Sequence, residues 1–377
     1  MAELHHVYLI PGLFGFAEIG GIRYFHHVRE LLEEWFEAAD APVVIRDIPI
    51  SPAASIRRRA ARVFESIQSS VGDEGPIHLI GHSTGGLDAR LFVTPNAALD
   101  VDPVELKALS SRVRTVVTVA TPNYGAPIAA FFSSAMGAQL LKVIAVATIY
   151  TMEYGKLPLS AMVRIGRVVT RLDDLIGLRR SVLDQLYDKL LDEFDEDRQR
   201  KIQAYLQSVG DDNDALGQLT PGGIDLLNAA TEDRPGVRYG SVVMRSRKPG
   251  WTTMRSIGLD PYRQASHLLY RFLYGLGGDK VSRYPTPSPE QASALVDAYG
   301  EVPMADQNDG IVPTRSQLWG ELLYAAEGDH LDVCGHFYDP DRDPPHYDWL
   351  ATGTGFDRPM FDSLWSSVTD FMLRPPD

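Results

Sequence analysis

Residues 78–86 read HLIGHSTGG. A short apolar run meets a glycine, then His82, Ser83 and Thr84, then two more glycines. Gly81-His82-Ser83-Thr84-Gly85 fits G-x-S-x-G, and the pattern occurs nowhere else in the chain. The flanking "IHLI" reads as a strand and "LDARLF" as a helix. A chain that turns from strand to helix at a serine strains that residue's backbone, and its neighbours must be small because strand and helix crowd them. The hydroxyl is left exposed at the C-terminal edge of a sheet, beside a helix N-terminus whose N–H groups favour developing negative charge. Ser83 is the candidate nucleophile.

Working outward, strand and helix signals alternate. Apolar runs at 6–10, 42–48, 77–81 and 113–121 are separated by helical patterns at 24–39 and 55–71 and by a helix running to about Phe92. The arginines of 55–71 are expected on a solvated face. Near-continuous apolar strands between helices predict a parallel sheet covered on both faces. From 123 to 235 no strand is visible, and strand signals resume at 237–245 and 321–328 before a last helix at 360–373. The expected organisation is an α/β core of 1–122 and 236–377, a helical cap of 123–235, and a second, irregular insertion around 250–303.

Composition narrows the partners. Of 377 residues, 44% are hydrophobic and 23% charged, which excludes wholesale disorder. A net charge of -14 argues against nucleic acid or an anionic membrane as the main partner. One cysteine, Cys334, allows no intrachain disulfide, and no basic and apolar leader precedes "VYLIPG", so a cytoplasmic setting is expected. The stretch 128–150 is long enough to cross a bilayer, but it carries Lys142, whose insertion at a helix centre costs about 3 kcal/mol. A buried or substrate-facing helix is expected there, and no transmembrane segment. The acidic runs 192–197 and 211–214 lack the spacing of a calcium-binding loop and read as solvated charge.

A nucleophilic serine needs a base and an acid that orients it, and in this topology they follow in the order serine, acid, histidine. Asp309 in "ADQNDGIVP" and His330 in "EGDHLDV" occupy loops after the resumed strands. Asp306 and Asp260 are the competing acids, whereas Asp329 and Asp332 flank the histidine and are expected to shape its loop. His82 is expected to pack, as are His5, His6, His26, His27 and His78. An oxyanion needs two convergent N–H donors, assigned to Thr84, after the nucleophile, and to Leu13, in the "PGLFG" loop after the first strand. A zinc cluster of His330, Asp332, Cys334 and His336 would consume the base and is not expected.

Together, "PGLFG" (11–15), "GHSTGGLDAR" (81–90), "TPNYG" (121–125), "QNDGIVP" (307–313), "HLD" (330–332) and the cap-like "LTPGGIDLLN" (219–228) resemble the bacterial triacylglycerol lipases of the α/β-hydrolase superfamily. The resemblance covers about 5–125 and 219–335 and departs from the family at Pro11, where a histidine usually stands. It implies an α/β-hydrolase fold with an inserted helical cap, and a serine hydrolase of carboxylic esters acting on a small-molecule or lipid ester. Ser83, Asp309 and His330 would form its triad. No cofactor is required for that chemistry. The family's calcium site implies Asp332 as a ligand, but no convincing upstream aspartate partners it. Acyl transfer or amide hydrolysis by the same triad, and a non-catalytic lipid-binding role, remain open. Phe131 and Phe132, opening the apolar stretch 128–150, are expected to bind the acyl chain.

Overall fold

A computed structural model describes residues 3–13, 18–19, 22–50, 54–72, 74–170, 180–211, 214–278, 284–342, 344–348 and 350–375. Phe14 and Gly15 of the first loop, and Asp212 and Asn213 of the second acidic run, lie outside the described residues.

The main sheet is built from β1 (His5–Ile10), β4 (Val43–Asp47), β5 (Ile77–His82), β6 (Val113–Val119), β7 (Arg238–Arg245) and β8 (Glu321–Glu327), and a two-residue pair, β2 (Glu18–Ile19) and β3 (Ile22–Arg23), stands apart. Its order is β4-β1-β5-β6-β7-β8, and every pairing is parallel. β1 and β5 are buried throughout, as strands covered on both faces must be. Helices Val28–Ala38 and Arg358–Leu373 cover one face around Phe36 and Trp365, and helices Ile56–Gln68 and Thr84–Val93 cover the other around Phe64 and Phe92. Parallel strands end on one edge, so the loops after β1, β5, β7 and β8 converge there.

Between β6 and β7 the described residues are helical or loop. The apolar stretch expected as one helix is two, Ile128–Phe132 and Ala135–Tyr154, because Ser134 stops the first and caps the second by accepting from the Gly137 N–H. The charged 181–209 segment also divides, at Asp195, whose Oδ1 accepts from the Asp197 and Arg198 N–H groups. Ala135–Tyr154 is long and apolar enough to cross a membrane by length and composition, but more than half of its most apolar window is buried inside the fold.

The described residues of 250–303 are mostly helical rather than irregular. They form helices Trp251–Ile257, Pro261–Gly277 and Pro289–Tyr299. Asp260 caps the second, Ser288 forms a capping box on the third, and a proline opens each of these two. Pro261–Gly277 packs along helix Leu159–Thr170 of the β6–β7 insertion.

Candidate active site

Ser83 sits at the β5-to-helix turn with φ 53° and ψ -126°, a positive-φ conformation that a serine adopts only under constraint. Its N–H donates to the Val119 carbonyl of β6 at 2.8 Å, which anchors the turn to the neighbouring strand. The small residues around it are a steric requirement. A Cβ at Gly85 would collide with the Ile10 carbonyl, and one at Gly12 would stand 2.7 Å from the Ser83 Cβ. The loop after β1 is thereby brought against the serine.

His330, in the loop after β8, places Nε2 2.9 Å from Ser83 Oγ and Nδ1 2.7 Å from Asp309 Oδ2. Asp309 is fully buried but well supplied with donors. Its Oδ1 accepts from the Ile311 and Val312 N–H groups at 2.9 and 2.7 Å, and its Oδ2 also accepts from Gln317 Nε2 at 3.1 Å. These bonds fix the carboxylate in place although it is out of water. The competing acids are occupied elsewhere: Asp306 pairs with Lys248, and Asp260 caps its helix.

The described residues thus bring Ser83, His330 and Asp309 into one hydrogen-bonded line. Thr84 is the first residue of the elbow helix, so its N–H has no partner within that helix. Leu13 and Thr84 both line the cavity above Ser83.

Three supporting residues escape the sequence reading. Arg59 is buried rather than solvated; it pairs with Asp88 of the elbow helix at 2.7 Å and donates to the Pro11 carbonyl at 2.7 Å. The first loop is therefore tied to the elbow helix through one guanidinium. Burial pushes the Asp88 carboxyl up to about 6 against the opposing pull of Arg59. Periodicity carries a signal for Arg59, since it shares a helix face with Ile56 and Val63.

His82 does more than pack. Its Nε2 bonds the His330 carbonyl at 2.8 Å and its Nδ1 bonds the Tyr24 hydroxyl at 2.6 Å. A carbonyl only accepts, so Nε2 carries the proton and Nδ1 accepts from Tyr24. Burial holds this imidazole well below its ordinary pKa, hence neutral. The third supporting residue, Gln317, has no sequence signal, because nothing local marks a glutamine that will donate to Asp309.

The cavity over Ser83 holds about 140 Å³ and is walled by apolar side chains, including Leu141, Ile144 and Ile149 from helix Ala135–Tyr154 and Leu273 from helix Pro261–Gly277. Phe132 lines it, but Phe131 does not. Consecutive helical residues point about 100° apart, and Phe131 turns to an edge-on contact with Phe272 instead. The expectation that both phenylalanines face the acyl chain is corrected at Phe131.

Beyond His330, Asp332 meets Asp329 and Asp348, with one carboxylate oxygen from each lying within 4.8 Å of the others. Asp329 and Asp332 also shape the loop: Asp329 Oδ1 accepts from the Leu331 and Asp332 N–H groups, and Asp332 Oδ2 accepts from the Asp329 N–H. One buried oxygen of each of the three aspartates is left without a partner. Burial pushes Asp329 to about 6, and burial with repulsion from Asp329 pushes Asp332 and Asp348 well up. Three hard oxygen donors with no opposing cation fit a calcium ion. The carboxylates that meet Asp332 are thus Asp329 and, downstream of the histidine, Asp348, not an upstream aspartate. The cysteine–histidine zinc set is not assembled, since His330 Nε2 faces Ser83.

No protein-family model matches the chain. It is 29% identical over 125 residues to the triacylglycerol lipase of Pseudomonas fragi, a match spanning 33% of this chain and 36% of that protein. The chain thus matches only about a third of that curated relative's length. Among solved structures, EstA from Clostridium botulinum superposes with a TM-score of 0.53 at 17% identity, covering 97% of this chain and 87% of that one. The Staphylococcus hyicus lipase superposes with a TM-score of 0.52 at 15% identity, covering 98% and 95% respectively. The chain has the α/β-hydrolase fold, and the known proteins it resembles are bacterial esterases and lipases.

Proposed function

We propose that the chain hydrolyses carboxylic esters with apolar acyl groups, through Ser83, His330 and Asp309. The observation that carries this reading is the Ser83–His330–Asp309 line, with bonds of 2.9 and 2.7 Å, under an apolar cavity. Ser83 Oγ adds to the ester carbonyl as its proton passes to His330 Nε2. The carbonyl electrons move onto oxygen, which faces the N–H groups of Leu13 and Thr84. Asp309 holds the imidazole and stabilises its charged form. Collapse of the intermediate breaks the bond to the alcohol, which leaves with the proton from His330. Water then adds to the acyl-serine by the same route, releasing the acid and restoring Ser83.

A calcium ion at Asp329, Asp332 and Asp348 would hold the loop that carries His330, and no step of the reaction passes through it.

The reading is tested by labelling with a fluorophosphonate probe, and by turnover of p-nitrophenyl esters from acetate to palmitate. Ser83→Ala is expected to abolish labelling and to cost on the order of a million-fold in turnover. A variant that keeps a tenth of the activity would refute the nucleophile assignment. Phe132→Ala is expected to lower kcat/KM for octanoate by about tenfold while sparing acetate, and Phe131→Ala to do much less.

A further inference from the structure

Away from the cavity, one patch of surface combines features that a water-facing surface does not need. Trp251 and Leu259 are each 90% exposed, and Met254 is 51% exposed. They belong to helix Trp251–Ile257 and the turn after it, and they rim a groove of about 920 Å³ against helices Leu159–Thr170 and Pro261–Gly277. Arg167, Arg255 and Arg271 open onto the same groove from three different helices, and all three are exposed. Among the described residues none is ion-paired and no acidic residue lines the groove. Asp260, next to Leu259 in the turn, has its carboxylate directed to the Tyr262 N–H as a helix cap.

We infer that this patch docks the protein on an anionic phospholipid surface. In a chain of net charge -14, three neighbouring arginines with no carboxylate among the described lining are a local exception. Charges further away than about 8–10 Å are screened at ordinary ionic strength, so the patch rather than the total charge decides what the groove attracts. An exposed indole and leucine beside guanidinium groups match the boundary of a bilayer. There apolar side chains enter the headgroup region and arginines meet phosphates bidentately. The expectation from net charge, that an anionic membrane is repelled, does not apply to this face.

The groove and the cavity share helix Pro261–Gly277: Arg271 opens to the groove and Leu273 lines the cavity. Docking would bring the cavity wall close to the lipid. The inference stands on surface chemistry alone and does not require that the chain hydrolyse esters.

The test uses the full chain carrying Ser83→Ala, so that no hydrolysis alters the lipid. It is sedimented with vesicles of phosphatidylcholine alone, or of equal parts phosphatidylcholine and phosphatidylglycerol. Binding to the anionic vesicles is expected, falling at high salt, with far weaker binding to the neutral ones. Arg167→Gln/Arg255→Gln/Arg271→Gln should weaken it on the order of a hundredfold, since each basic residue near an anionic surface contributes about fivefold. Trp251→Ser/Leu259→Ser should weaken it as well, with melting temperature unchanged in both variants because the altered side chains are exposed. Equal binding to both vesicle types, no binding, or full binding by the variants would overturn the inference. So would a concentration-dependent dimer in light scattering that Trp251→Ser/Leu259→Ser dissolves, because the patch would then serve a second copy of the chain.

Discussion

Two sets of buried aspartates stand on either side of His330, and they are treated oppositely. Asp309 receives two backbone N–H groups, the Gln317 amide and the His330 imidazole. Asp329, Asp332 and Asp348 face one another, each with a buried oxygen that no donor reaches. Burial alone does not separate the two sites, since Asp309, Asp329 and Asp332 are all withdrawn from water. The supply of donors does. A carboxylate held by several hydrogen bonds can orient an imidazole, whereas carboxylates facing each other must take up a proton or a cation.

The strongest way to break this comparison is to remove the charge at Asp309. Asp309→Asn is expected to lower kcat about ten-thousandfold while leaving the fold intact. Asp306→Asn, which loses only an exposed pair with Lys248, should stay within about twofold. Equal losses in steady-state turnover would mean that Asp309 does not orient the base.

The three-aspartate site answers to pH and to calcium. The Asp329 carboxyl is pushed up to about 6 in the fold, against about 3.9 in an unfolded chain. Its protonation therefore favours the folded state, and that contribution is complete below about pH 4 and lost as pH rises through about 6. For Asp329 alone it amounts to on the order of 3 kcal/mol, and Asp332 and Asp348 move in the same direction. In the presence of EGTA, melting temperature should fall between about pH 4 and about pH 6 from this source. Calcium at a large excess over its Kd should restore a few kcal/mol at the higher pH by mass action. Asp332→Asn should remove most of the calcium response and flatten the pH dependence, with Asp309 unaffected. A melting temperature at pH 8 indifferent to calcium would dismiss the cation reading and leave shared protons as the state of the site.

The smallest effect probes what links the two sites. His82 holds the carbonyl of His330, the residue that follows Asp329. His82→Phe should cost turnover up to about a hundredfold by letting the base drift, with KM little changed and the calcium response intact. His82→Gln, which can donate to the same carbonyl, should recover part of the loss. If both variants matched the wild type in turnover, His82 would be packing alone.

Much of this was legible in one dimension. The strand–turn–helix at HLIGHSTGG, the alternating apolar runs, and the order of Ser83, Asp309 and His330 depend on short-range rules. Side-chain period, turn sterics and fixed connectivity all act within a few residues, so the sequence by itself determined the parallel sheet and the residues presented at its C-terminal edge. Helix caps are also local, which is why Ser134, Asp195 and Asp260 could each have been read from their neighbours.

Other features required the folded chain. Asp348 joins Asp332 across an irregular loop, Gln317 reaches Asp309 from a turn after it, and Arg59 crosses from one helix to another to hold Pro11. Trp251, Leu259 and three arginines become one patch only when helix Leu159–Thr170 lies beside two consecutive helices of a distant stretch. Such groupings are decided by tertiary structure because the energy of a buried or paired charge depends on which groups surround it in space.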